Sequence, residues 1–419
     1  MSTSSSSAPA SSASNGAKQV IQIGPFHPLL EEPVGFSLTV EGEKVVHVDA
    51  RMDYIHKGIE RLCQERTYDM IPILLERICG ICSVTHSVCF CNAVEDLLGI
   101  DIPPRAKYIR TIIAELERVH SHLLWVGLAG HFIGYNTVFM WAWKYREPVC
   151  DVFEMLTGHR QNSALPMVGG VRRDIPEKYL PEARKVLDMV DDKVQMLTDA
   201  VLDDPVLAAR LKGVGVLTPQ EVLDWGVVGP TARASGVDTD VRRDEPYAAY
   251  DELDWDVITA PEGDVFAKAV VRLLELKESV KILRQCFDKL PKSELNQGLL
   301  HIPRGEGIGR YEAPRGEDIH YLRSNGTNMP ERLKVRAPSF TNIASFRASC
   351  LGASIADVTI TLAACDPCYS CTERTAVVKD SRGNIVSTFN DLATRSREKT
   401  FELARQMGLE PRLDLPMER

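Results

Sequence analysis

Residues 77–82 read RICGIC and residues 366–371 read DPCYSC. Two cysteines separated by two residues can direct both sulfurs at one metal. Two such pairs supply four thiolates, a donor set suited to zinc, iron–sulfur or other soft-metal centres. Cys82 and Cys371 stand 289 positions apart, whereas zinc ribbons and fingers keep their pairs within a few tens of residues. A site that joins the two ends of a large chain reads as an enzyme centre sealed by the fold. Structural zinc is the second reading. Unrelated buried cysteines are disfavoured because both pairs share one spacing.

Working outward, the pattern from residue 51 to about 150 is helical. Within 109–123 the apolar residues Ile109, Ile112, Ile113, Leu116, Val119 and Leu123 recur at three- and four-residue steps. Amphipathic helices are predicted over 177–203 and 263–290, the second with Val270, Val271, Leu274 and Leu283 on one stripe. VIQIG and FSLTVEGEKVVHVDA, within 19–50, alternate as strands do, with Glu41–Gly42–Glu43 as the turn and GPFHPLLEEP as a proline-rich loop between them. Residues 298–325 read as strand–loop–strand around EAPRGED, and TAVVKDSRGNIVSTF as a second hairpin. The stretch 205–262, rich in Gly, Pro and Asp, reads as a long irregular excursion of the kind that carries function. ELARQMGLEPRLDLPMER is polar and poorly patterned. With no repeat and no dividing linker, the expected class is α+β: a predominantly helical core of long helices with small peripheral β-sheets.

The 419 residues are 44% hydrophobic and 26% charged, a mix that supports a sizeable core, and the net charge of −9 excludes an extended nucleic-acid surface. The arginine pairs 172–173 and 242–243 are short, and read as solvated surface or a subunit interface. Residues 1–18 begin with MSTSSSSAPASSASNG, which lacks both the basic start and the apolar stretch of a secretory signal, so a disordered Ser/Ala tail is expected. The mostly apolar run 123–143 contains His131 and Asn136, and reads as a buried helix rather than a membrane span. Eleven cysteines in a chain without a signal sequence imply a reducing compartment and metal or redox chemistry.

RICGICSVTHS together with DPCYSC resembles the paired signatures of nickel–iron hydrogenase large subunits. GPFHP, HKGIERL (56–62), FEMLTGHR, GGVRRD, the run 211–247 and EAPRGED are similar to the 49 kDa, quinone-site subunit of respiratory complex I. The resemblance spans roughly 19–380 and points to the energy-converting, complex I-like branch of the hydrogenases. It implies that Cys79, Cys82, Cys368 and Cys371 bind nickel, that Cys82 and Cys371 also bridge to iron, and that the iron carries carbon monoxide and cyanide. Soft, electron-rich thiolates keep such metals in a usable redox range.

Splitting hydrogen into hydride and proton needs a base and a relay, and the resemblance assigns them. Glu32 matches the proton-relay glutamate, with Glu31 adjoining. Arg315 matches the arginine that overhangs the open metal position, and Asp366 the aspartate that orients it. His86 matches a histidine that hydrogen-bonds a metal-bound sulfur. Ser339 matches the hydroxyl that donates to an iron cyanide, and Pro338 a water-excluding neighbour. Glu60 matches a magnesium-binding glutamate of conventional members, although the C-terminal partner residue is missing here. Glu117 and His120, one turn apart, read either as a continuation of the proton path or as a plain intrahelical pair. Cys89, Cys91 and Cys365 read as small buried hydrophobes.

Conventional large subunits end DPCxxCxxH and are cleaved after that histidine. Here Arg374 occupies the place. The expected catalytic domain is 19–374, and the hairpin pattern after it favours retention of 375–419, with removal as the alternative. The resemblance implies a small iron–sulfur hydrogenase subunit, ferredoxin-like and ion-pumping membrane subunits, and maturation proteins as partners. It also implies a peripheral place on the cytoplasmic side of a membrane, held by those partners. The competing reading is a complex I-like NADH/quinone oxidoreductase subunit without hydrogenase activity.

Overall fold

The computed structural model describes residues 18–408, apart from 28, 29, 31, 53, 299, 300 and 373–376. The disordered tail expected at the start lies outside the described residues but for Lys18, as do Glu31 and Arg374. The chain divides after Thr372 into two units.

The first unit opens with an antiparallel meander, β1 (Lys18–Ile23), β2 (Gly35–Glu41) and β3 (Lys44–Arg51), in that order. Phe36, Leu38 and Val40 alternate inward along β2, the period-two pattern that a half-buried strand requires. Five long helices follow: α1 (Ser83–Leu98), α2 (Pro104–Phe132), α3 (Asn136–Thr157), α4 (Leu180–Asp203) and α5 (Val265–Lys289). α2 is central. It is buried nearly all round and packs on α3 and α5, as a core helix of a large domain does. α4 buries only Ala183, Leu187, Val190, Val194, Leu197, Thr198 and Val201, a largely apolar stripe on an otherwise polar helix.

A second meander, β4 (Arg304–Ala313), β5 (Gly316–Asn325) and β6 (Pro330–Arg336), receives α1 on one face. The approach is very close. A Cβ at Gly309 would stand 2.0 Å from the Cys89 carbonyl oxygen, and one at Gly307 2.0 Å from that of Ala93. The alternating glycines of RGEGIG therefore clear one strand face for helix backbone. After β6, α6 (Ile355–Ala364), capped by the Ser354 hydroxyl, leads into DPCYSC.

The expected α+β class, a helical core with small sheets, is what the chain forms. Two local expectations change. The run 123–143 is not one buried helix: α2 stops at Phe132, Gly134 takes φ +82, and α3 restarts at Asn136, with Met140 and Trp141 exposed. Arg242 is not at the surface. Its guanidinium is buried with Asp240 at 2.7 Å and Glu115 at 3.1 Å, while Arg243 stays outside. Three of the short helices in the irregular excursion begin at Pro205, Pro219 and Pro230, each with proline in the first turn, where its missing N–H costs nothing.

In the second unit, β7 (Val377–Lys379) and β8 (Ile385–Thr388) pair antiparallel, and α7 (Phe389–Gln406) follows. A reciprocal capping box of Thr388 and Asp391 starts that helix. Part of the stretch that looked patternless, ELARQ, is thus helical. Among the described residues no helix is long and apolar enough to cross a membrane.

Candidate metal centre

Cys82 is the N-cap residue of α1, so the first cysteine pair sits at the positive end of a sixteen-residue helix. The second pair is delivered by a sharp exit from α6. Asp366 adopts φ +55, an unusual value for a residue with a side chain, and the short helix Tyr369–Thr372 then carries Cys371. The four sulfurs converge. Cys368 lies 3.3 Å from Cys79 and 2.8 Å from Cys371, and Cys82 lies 3.4 Å from Cys371. All four sulfurs fall within 4.8 Å of one another, and all four residues are buried.

The cluster is electrostatically uneven. Cys79 is held well below the ordinary thiol range, chiefly by the hydrogen bonds from Cys368 and Cys371, with the Arg315 guanidinium adding to them. The bond to Cys368 pushes Cys82 up, and burial does the same for Cys371. One thiolate is therefore favoured, whereas four together require a cation among them. Four buried sulfurs from two pairs, with an arginine alongside, fit a soft metal centre.

Arg315 sits in the two-residue turn between β4 and β5. Its Nε donates to the Asp366 carbonyl and its Nη2 to the Asp366 carboxylate, both at 2.7 Å, and Nη1 reaches Ser121 Oγ at 3.2 Å. Gly229 and Gly316 press backbone against backbone beside this turn: a Cβ on Gly229 would stand 2.4 Å from Gly316 Cα. Asn342 fastens the same place, donating to the Arg315 carbonyl at 3.2 Å and accepting from the Val228 N–H at 2.9 Å. Ser339 Oγ accepts from the Cys368 N–H at 2.9 Å, and Pro338 opens the short helix that carries it, Pro338–Asn342. Glu32 accepts from the Ser370 N–H at 2.8 Å and from the Ser370 hydroxyl, one residue from Cys371.

His86 Nε2 lies 3.3 Å from Cys371 Sγ. On the ring's other side, Nδ1 faces Asp318 at 3.1 Å and His320 Nε2 at 3.3 Å. Burial opposes a charged imidazole here, but the Asp318 carboxylate outweighs it and raises the pKa of His86.

Glu60 is not brought to the sulfurs' set or to any other buried metal-competent cluster among the described residues. Its carboxylate accepts from the Val335 N–H at 3.0 Å and lies 3.3 Å from Arg332 and 3.6 Å from Lys334. Glu117 and His120 do not pair with each other in the bonds that define their places. Glu117 accepts from the Val84 and Thr85 N–H groups, at 2.6 and 3.0 Å, and from the Thr85 hydroxyl, so it caps the start of α1. Burial nonetheless pushes it up to about 8. His120 meets Arg146 and is pushed down to about 3 by burial and that charge. Cys89, Cys91 and Cys365 are buried.

The sequence reading missed Ser121, Asp318, His320 and Asn342. A signal existed for two of them. Asp318, His320 and Leu322 share the buried face of β5, and polar residues at inward positions of an alternating strand ask for a reason.

The chain matches the model of the respiratory-chain NADH dehydrogenase 49 kDa subunit over residues 133–301 and 294–374, and that of the nickel-dependent hydrogenases over 57–127. It is 41% identical to the membrane-bound hydrogenase subunit alpha of Pyrococcus furiosus, over 91% of this chain and 93% of that one. It is 36% identical to an NADH-quinone oxidoreductase subunit of Rhizobium etli, over 86% and 96%. Among solved structures, a chain of the membrane-bound sulfane sulfur reductase, an archaeal respiratory membrane complex, superposes with a TM-score of 0.81 at 31% identity, over 87% of this chain and 100% of that one.

Proposed function

The chain belongs to the family of nickel-dependent hydrogenase large subunits and complex I 49 kDa subunits, and on that premise we propose that it is the catalytic subunit of a membrane-associated, energy-converting nickel–iron hydrogenase. The observation that carries this reading is the four-sulfur cluster of Cys79, Cys82, Cys368 and Cys371. These residues would hold nickel, with Cys82 and Cys371 shared with an iron that carries carbon monoxide and cyanide. When bound, that centre supplies the reversible splitting of hydrogen.

The surrounding residues serve it. Glu32, tethered at Ser370, takes and releases the proton; a carboxylate in hydrogen-bond reach contributes about 10²–10⁴-fold in such steps. Arg315, fixed by Asp366, offers a rigid positive charge to the sulfurs. Ser339 would offer its hydroxyl to an iron-bound cyanide, and Pro338 would exclude water from the centre. A magnesium ion is no part of the proposal, because Arg332, Lys334 and the Val335 N–H already surround the Glu60 carboxylate.

The four sulfurs form the one all-cysteine cluster among the described residues. Electrons therefore leave through a partner iron–sulfur subunit, and further ferredoxin-like and ion-pumping subunits tie the chain to the cytoplasmic side of a membrane. The tail beyond Arg374 is retained. An intact mass of the nickel-loaded chain tests that last point, and a species ending at Arg374 refutes it.

Metal analysis of the purified complex tests the function. Nickel and iron in equal amounts in this subunit support it. A metal-free chain points instead to a complex I-like subunit, and zinc to a structural site.

A further inference from the structure

Behind the cysteine cluster lies a second buried group, formed by His86, Asp318 and His320. None of the roles described above uses Asp318 or His320. Both are fully buried on the inward face of β5. The Asp318 carboxylate lies 3.1 Å from His86 Nδ1 and 3.2 Å from His320 Nε2. The Cys89 thiol adds a weaker contact to the same carboxylate. A buried carboxylate loses its solvation unless something offsets that cost, and here the two rings are the main offset.

The rings are not equivalent. His320 ends the row, with its Nδ1 unpartnered among the described residues, whereas His86 continues to Cys371 Sγ at 3.3 Å. An imidazole has nitrogen at only two of its corners. With Nδ1 fixed from two sides, Nε2 is aimed at the sulfur. A flipped ring would turn carbon toward both the sulfur and the carboxylate.

We propose that Asp318 and His320 are positioning residues that fix the His86 ring, and through it the hydrogen bond to the sulfur of Cys371. The inference rests on the hydrogenase reading, since it is the metal-bound sulfur whose electron density that bond adjusts. Groups that hydrogen-bond a metal ligand are worth about 10–100-fold in activity or affinity, and Asp318 and His320 act through such a group, His86.

The test compares the intact nickel–iron complex with its Asp318→Asn and His320→Gln variants. Three readouts are taken: metal content, the infrared bands of iron-bound carbon monoxide and cyanide, and hydrogen turnover. The expected result is wild-type nickel and iron, shifted bands, and turnover down about ten- to a hundredfold. Bands and turnover both unchanged in the two variants overturn the proposal. So does a third metal ion bound to the wild-type group, which would make it a ligand set. If Asp318→Asn fails to fold, His320→Gln, which keeps the carboxylate, carries the same expectation alone. A wild-type complex without those bands defeats the hydrogenase reading itself, an outcome distinct from bands that are present but do not move.

Discussion

Arg315 grips Asp366 twice, through its backbone carbonyl and through its carboxylate, each at 2.7 Å. Asp366 holds φ +55, a conformation that costs a non-glycine residue roughly 1–3 kcal/mol. The guanidinium thus holds the backbone turn that aims Cys368 and Cys371 at the front pair. The same side chain that faces the sulfurs also builds the bend presenting two of them.

Arg315→Leu removes one partner of a buried ion pair and should destabilise the metal-free chain by about 3–5 kcal/mol. Arg315→Lys keeps the charge but loses the planar fork, and should fall between wild type and Arg315→Leu. Denaturant midpoints check the order. Equal stability of all three would show that the clamp does not hold the turn.

Glu117 carries a pH prediction. Its pKa is about 8 in the folded chain, set chiefly by burial against the opposing hydrogen bonds of Thr85 and Val84, and near 4.5 when unfolded. Between these values the folded state binds more of this proton. Its contribution to stability therefore falls as pH rises, by up to about 1.4 kcal/mol per pH unit. Glu117→Gln keeps an acceptor oxygen for the start of α1 and should lack that slope. Unfolding curves at several pH values between about 5 and 8 compare the two. Parallel pH profiles contradict the assignment.

Much of this was legible in the chain itself. The long helices follow from apolar spacing, the first meander from alternation punctuated by Gly42, and two strands of the second from the EAPRG turn, while the sequence reading missed its third strand, Pro330–Arg336. The cysteine pairs' type and spacing mark them as candidates for one soft-metal site, and their sulfurs do converge. What stayed hidden depends on contacts distant in sequence. Adjacent arginines look alike until one of them, Arg242, meets Glu115 and Asp240. Glu117 and His120 look like a pair until Thr85 and Arg146 claim them separately. Asp318 and His320 share alternate positions with Leu322, which is a signal in the chain, but which face of β5 turns inward is decided only where α1 packs on it.

Glu32→Gln keeps an oxygen that accepts from the Ser370 N–H but removes the ionisable group. The metals should stay in place, while hydrogen–deuterium exchange slows by about 10²-fold or more. Wild-type exchange in that variant would mean that the proton leaves by another route.

Ser339→Ala leaves the buried Cys368 N–H without its acceptor. A stranded buried donor costs about 1–3 kcal/mol, and the change falls on the loop that presents Cys368 to the other sulfurs. The variant should melt lower and accumulate less metal. Unaltered melting together with full metal content would show that the contact is dispensable.

Whether four sulfurs from opposite ends of the chain hold one bimetallic centre is tested most directly by infrared spectroscopy of the complex, wild type beside Cys368→Ser. The wild type should show the bands of iron-bound carbon monoxide and cyanide together with bound nickel, and the variant, still expressed, should show neither. A nickel-free wild type without those bands, or a Cys368→Ser protein that retains them with full activity, would contradict it.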